Sequence, residues 1–107
     1  IDLVLSWMVE NSQKLAQAQA NYNQLSDYKS VVRSQQMNLA ASKGVASAAA
    51  QERDALCSQE YIDHLKVTEI AETEFLRLKY LMQTAQAKCD IFRTLKASER
   101  NEIKNFM

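Results

Sequence analysis

The sequence predicts an all-α protein made of two long antiparallel helices joined by a turn and a short helix. Three observations carry that expectation. The 107 residues include one Gly and no Pro, so the chain lacks the punctuation that tight turns and multi-stranded sheets need. Apolar residues recur at steps of three and four over two long stretches, the period of a helix face. Between those stretches the pattern lapses at Gly44.

The first helix is expected over about residues 3–42, with its register legible from residue 7. Met8, Leu15, Ala18, Tyr22, Leu25, Val32 and Leu39 recur at steps that sum to sevens, and Ala16, Ala20, Tyr28 and Val31 broaden the stripe. The opposite face carries Gln13, Gln17, Gln19, Asn21, Asn23 and Gln24, which give solubility with few ion pairs. Lys29 and Gln36 fall on core positions of the same frame, and such breaks favour a bundle or mixed oligomer over a long two-stranded coiled coil.

The turn is expected at 43–47, because only Gly44 adopts freely the left-handed conformation that ends a helix. Ser47 then caps a short helix over 48–56, a run of strong helix formers. Ser58 is placed to cap a second long helix over 59–104, whose positive N-terminal end favours Glu60. Its seam reads Tyr61, Leu65, Thr68, Ala71, Phe75, Leu78, Met82, Ala85, Cys89 and Phe92, widened by Leu76, Leu81, Ile91 and Leu95. At ~1.5 Å per residue each long helix exceeds ~50 Å. That is more than one globule of this size needs, so residues 1–107 are read as a single helical domain that bundles in a homo-oligomer.

Thirteen basic and thirteen acidic side chains cancel, which excludes a histone-like protein binding by bulk charge. The distribution is uneven. Residues 1–43 carry four bases and three acids, residues 44–75 two and seven, and residues 76–107 seven and three. The second long helix therefore has its acids toward the N-terminus and its bases toward the C-terminus, the order a helix dipole prefers.

Cys57 and Cys89 do not make a disulfide scaffold; a reducing compartment such as a cytoplasm is the simpler expectation, with both thiols buried as small hydrophobes. The opening stretch Ile1–Val9 is apolar but interrupted by Asp2. It is too short for a bilayer, which takes ~20 apolar residues, and has no signal-peptide flanks, so no membrane partner is expected. Its exposed apolar side, ending near Trp7, points to association. A first residue that is Ile rather than Met suggests that a longer chain precedes it.

Little in the sequence suggests catalysis. His64 is the one histidine, and the two cysteines stand 32 residues apart without a CxxC or HxxxH companion, so neither a metal nor another cofactor is expected. A Cys–His pair would lack an elbow turn and an oxyanion loop, so the chain is read as a non-enzyme.

The basic residues are the candidates. Arg93, Lys96, Arg100 and Lys104 follow at steps of three, four and four, flanking an apolar line of Phe92, Leu95, Ile103 and Phe106. A second cluster joins Lys29 and Arg33, four apart, with Tyr28 adjacent and Lys43 and Arg53 near the turn. Such cations can track a phosphodiester backbone, while Tyr28 or Phe106 offers a stacking face to an unpaired base. The same residues also fit as solvated flanks of a core stripe, with the aromatics in the core.

Taken together, Tyr28-Lys29-Ser30, Met37 to Ala41, Lys43-Gly44 to Ser47, Ala48 to Arg53, Ser58-Gln59-Glu60-Tyr61 and Phe92-Arg93-Thr94-Leu95-Lys96 resemble small helical proteins of phage recombination and replication cassettes. The named group they are similar to is the UvsY-type recombination mediator, over about residues 10 to 100. The resemblance implies binding of single-stranded DNA, ring-like helical oligomers, and help to a strand-exchange recombinase in displacing single-strand-binding protein. It would put Tyr28, Lys29, Arg33, Lys43 and Arg53 against DNA, with the Arg93 to Lys104 stripe as second choice. The neutral chain and a first helix poor in Lys and Arg depart from that pattern, so oligomer avidity would have to supply affinity.

Two other functions fit the same residues. Seven acids between Glu52 and Glu74 suit a protein-binding module that meets a basic surface, such as a phage-encoded inhibitor of a host enzyme. The long apolar stripes suit a structural helical assembly unit.

Overall fold

A computed structural model describes residues 1–106, Phe106 by its backbone alone. The protein is all-helical, with α1 over Asp2–Ser42, α2 over Ala48–Leu56 and α3 over Gln59–Phe106. The two long helices pack together, antiparallel, and the short one joins them.

Each boundary has a local cause. At the end of α1 the Val45 amide donates to the Ala40 carbonyl and the Gly44 amide to the Ala41 carbonyl, both at 3.1 Å. This pair of bonds closes a helix on a left-handed residue, and Gly44 supplies it with φ +95°. The Gln51 amide group ties the turn from the other side, donating to the Val45 carbonyl at 2.8 Å. Ser47 stands extended before α2, and its Oγ accepts from the Ala50 amide at 3.1 Å. Ser58 repeats the device for α3: its Oγ accepts from the Tyr61 amide at 3.2 Å and donates to the Ala55 carbonyl at 2.7 Å. One hydroxyl thus serves both the start of α3 and the end of α2.

The chain divides into two compact units, one formed by Ile1–Ala16 with the chain from Leu76 onward, the other by Gln17–Phe75. In the first, Leu78, Ala85 and Cys89 are buried, and the Cys89 thiol approaches the Met8 sulfur at 4.0 Å. Trp7 lies beside Leu3 and Val4 over Leu81, Thr84, Ala85 and Lys88, around an apolar groove of about 280 Å³. In the second unit Val32, Ala40, Ala55, Tyr61 and Ala71 are buried. There Tyr22 stacks on Phe75, with ring centroids 6.0 Å apart and planes 17° from parallel, a geometry favoured by aromatic quadrupoles.

The seams differ from the sequence expectation at three places. In α1 the seam position expected at Leu39 goes to its neighbour: Ala40 is 4% exposed and Leu39 48%. A straight helix drifts by ~20° per heptad against a strict seven-residue repeat, and the drift accumulates toward the end of α1. In α3 Leu65 is exposed and His64 takes its place, half-buried. The steps His64, Thr68, Ala71, Phe75, Leu78, Met82, Ala85, Cys89 alternate four and three without a break, whereas Leu65 does not fit that alternation. The third difference is at the widening residues: Ala16, Ala20, Tyr28 and Val31 of α1 and Leu81, Ile91 and Leu95 of α3 are exposed, and Phe92 at the end of the seam is only partly covered. Of the two polar breaks, Lys29 is exposed and Gln36 half-buried.

His64 does more than fill space. Its Nε2 lies 2.7 Å from the Leu25 carbonyl oxygen, and since a carbonyl only accepts, Nε2 carries the proton and donates. Tyr28 packs on the same imidazole, centroids 6.0 Å apart and planes tilted by 54°. This bond ties one turn of α1 to one turn of α3.

Space around Gly44 is open, with no heavy atom within 4 Å of where a Cβ would stand. A side chain there meets only its own backbone, a cost of about 1–2 kcal/mol for a left-handed L-residue. Gly44→Ala is therefore expected to lower stability by that amount in urea melts followed by circular dichroism, and Gly44→Asn by less. An unshifted midpoint for the alanine variant would rule out the left-handed cap.

Candidate nucleic-acid interface

All five cations and aromatics of the first predicted set lie in the unit formed by Gln17–Phe75. Lys29 and Arg33 stand one turn apart on α1 and, with Ser26, Asp27, Ser30 and the Tyr61 ring, line a recess of about 180 Å³. Tyr28 is adjacent and 47% exposed, with one side of its ring turned to His64. Lys43 is exposed in the turn, and Arg53 on α2. The structure thus brings Tyr28, Lys29 and Arg33 to one stretch of α1.

Two acids temper the charge of this stretch. Asp27 shares the recess with the two cations. The Arg33 guanidinium reaches Glu52 of α2 at 3.7 Å, both side chains about half exposed. An exposed pair of that length contributes ~0–1 kcal/mol, so a phosphate can replace the carboxylate at small cost. Lys29 makes no ion pair among the described residues.

The second set lies in the other unit, along the last turns of α3. Arg93 pairs with Asp90 at 3.6 Å and Lys96 with Glu99 at 3.4 Å, each bridge within the helix and exposed. The Lys96 ammonium also sits 5.6 Å from the centre of the Phe92 ring, within cation–π range. Arg100 and Lys104 flank Ala97, Asn101 and Ile103 around a shallow recess. The stacking face expected of Phe106 falls outside the described residues.

From the sequence His64 is weighed only as a metal ligand or a partner to cysteine, with its seam position given to Leu65, yet the unbroken four-three alternation that starts from His64 already marks the seam. Its Nε2 is committed to Leu25, and among the described residues no three of His, Cys, Asp and Glu gather as a metal ion would require. Among the same residues no helix is long and apolar enough to cross a membrane.

The cysteines correct one expectation. Cys89 is buried, but Cys57, read from sequence as a second buried thiol, is exposed. It caps the end of α2, where its amide donates to the Arg53 carbonyl at 3.1 Å, and a residue at a helix terminus has no neighbouring turn to cover it.

No protein-family model, no curated protein and no solved structure matches this chain.

The exposure difference between the thiols makes a direct test. A thiol reagent is expected to modify one cysteine of the native protein quickly, at Cys57, and the second only when the helices separate. Equal rates for both, read by mass spectrometry of the labelled peptides, would contradict the packing of Cys89 against Met8.

Proposed function

We propose that this chain is a non-enzymatic accessory protein of phage recombination or replication that binds single-stranded DNA as a homo-oligomer and helps load a recombinase, in the manner of UvsY-type mediators. The observation that carries the reading is an exposed tyrosine, Tyr28, beside Lys29 and Arg33 on one stretch of α1. Ammonium and guanidinium groups one turn apart can contact successive phosphates, and the open face of a neighbouring aromatic ring can stack on an unpaired base without reading its identity. Lys43 and Arg53 add charge in the same unit.

Affinity per copy is small in this reading. The chain is neutral overall, and Arg33 must exchange Glu52 for phosphate. Several copies along one strand multiply the effective local concentration of sites, which is why the reading requires association. The exposed apolar residues of both units, among them Leu3, Val9, Val67 and Ile70, support contact with further protein.

Anisotropy of a labelled single-stranded oligonucleotide tests the proposal. Binding is expected at low salt and is expected to fall as salt rises, with a log–log slope of about −0.7 for each phosphate contacted. Exchanging Lys29 and Arg33 for Glu should weaken binding alike on all sequences and flatten that slope. Binding indifferent to salt, or no binding at low salt, would sink the reading.

A further inference from the structure

The exposed side of α3 changes character along its length. In the unit formed by Gln17–Phe75, Glu60, Asp63, Val67 and Ile70 follow at steps of three, four and three and form one line. All four are exposed, Val67 by 50% and Ile70 by 70%. β-Branched residues this bare on a helix, side by side and rimmed by carboxylates, are a contact surface without its partner. Residues 59–75 hold five acids against the single cation Lys66. In the other unit the line Arg93, Lys96, Arg100, Lys104 flanks exposed Leu95 and Ile103, and residues 91–106 hold four bases against two acids.

We propose that these two surfaces are the two halves of one head-to-tail contact, so that the basic, apolar-flanked end of α3 in one copy covers the acidic, apolar-centred start of α3 in a second copy. Each surface has what the other lacks. Apolar residues occur on both, so that joining them removes apolar area from water, while the flanking charges are opposite in sign. Pairing like ends would set carboxylate against carboxylate or guanidinium against ammonium, which charge complementarity disfavours. The bridges Arg93–Asp90 and Lys96–Glu99 are exposed, so exchanging them for intermolecular partners costs little. Each copy carries one surface of each kind, so two copies that make the contact reciprocally close as a dimer, and copies that make it once each add in sequence as a ring or filament. The inference assigns Arg93, Lys96, Arg100 and Lys104 to protein rather than to DNA. It does not depend on DNA binding, and its test contains no nucleic acid.

Sedimentation velocity of the whole chain without DNA reads the contact. The wild type is expected to assemble at ~50 mM salt and to dissociate at ~500 mM, where screening shortens to a few ångströms. Glu60→Lys with Asp63→Lys should leave a single-copy species, as should Arg100→Glu with Lys104→Glu, each retaining the helical circular dichroism of the wild type. Mixing the two variants in equal amounts should restore assembly, since each then supplies the sign that the other reversed. Glu60 also serves the first turn of α3, so Ile70→Lys, on an exposed site far from that cap, is a second variant expected to abolish assembly. A solitary wild type at low salt, as follows if a foreign basic protein is the occupant, would overturn the proposal. So would variants that assemble like the wild type, or a mixture that stays dissociated.

Discussion

The whole arrangement depends on how little each long helix has to bury. The buried apolar residues are Val32, Ala40, Ala55, Tyr61, Ala71, Leu78, Ala85 and Cys89, and half of them are alanine. Small side chains let two helices approach closely, but each removes little apolar area from water, and burial contributes only ~25 cal/mol per Å². A chain of this length buries ~60–65% of its unfolded surface when it folds alone. The narrow seam takes in few larger side chains, Tyr61 and Leu78 among them, and Leu3, Leu39, Leu65, Ile70, Ile91 and Leu95 remain outside.

Polar groups add to what the seam fixes. Its alanines, Ala40, Ala71 and Ala85, specify lengthwise register weakly, so register rests on larger contacts such as the Tyr22–Phe75 stack and on directional bonds. The hydrogen bond from His64 to the Leu25 carbonyl has no equivalent a turn away. Tyr28 beside it ties the same imidazole to α1, and the neighbouring Lys29 and Arg33 are thereby held at a fixed place along the pair of helices. The residues proposed to meet phosphate thus follow directly on a long-range polar bond that joins α1 to α3 within their unit.

Much of the fold was legible because the deciding residues act locally. Gly44, Ser47 and Ser58 each set a boundary through bonds to residues within a few positions, so their chemistry is visible without tertiary knowledge. The short helix over 48–56 follows from the same three residues. The seam was legible in period and less so in phase: Leu39 and Leu65 drew the reading toward the larger apolar side chain, whereas the packing chose Ala40 and His64 because position on the cylinder outweighs hydrophobicity when the interface is narrow. The candidate site was legible as a cluster on α1 and not in its pairing. That Arg33 faces Glu52 depends on how α2 folds back after the turn, and no spacing rule in the sequence encodes it.

The tie between His64 and Leu25 also limits how the chain can change in length. Inserting one residue in either long helix rotates everything beyond it by about 100°, which would carry the remaining seam out of contact. Inserting seven restores the facing side but displaces one helix lengthwise against a bond that admits no displacement. A change of length between α1 and α2 leaves the paired stretches in alignment, whereas one at the Cys57-Ser58 junction separates the two helix ends that the Ser58 hydroxyl serves together.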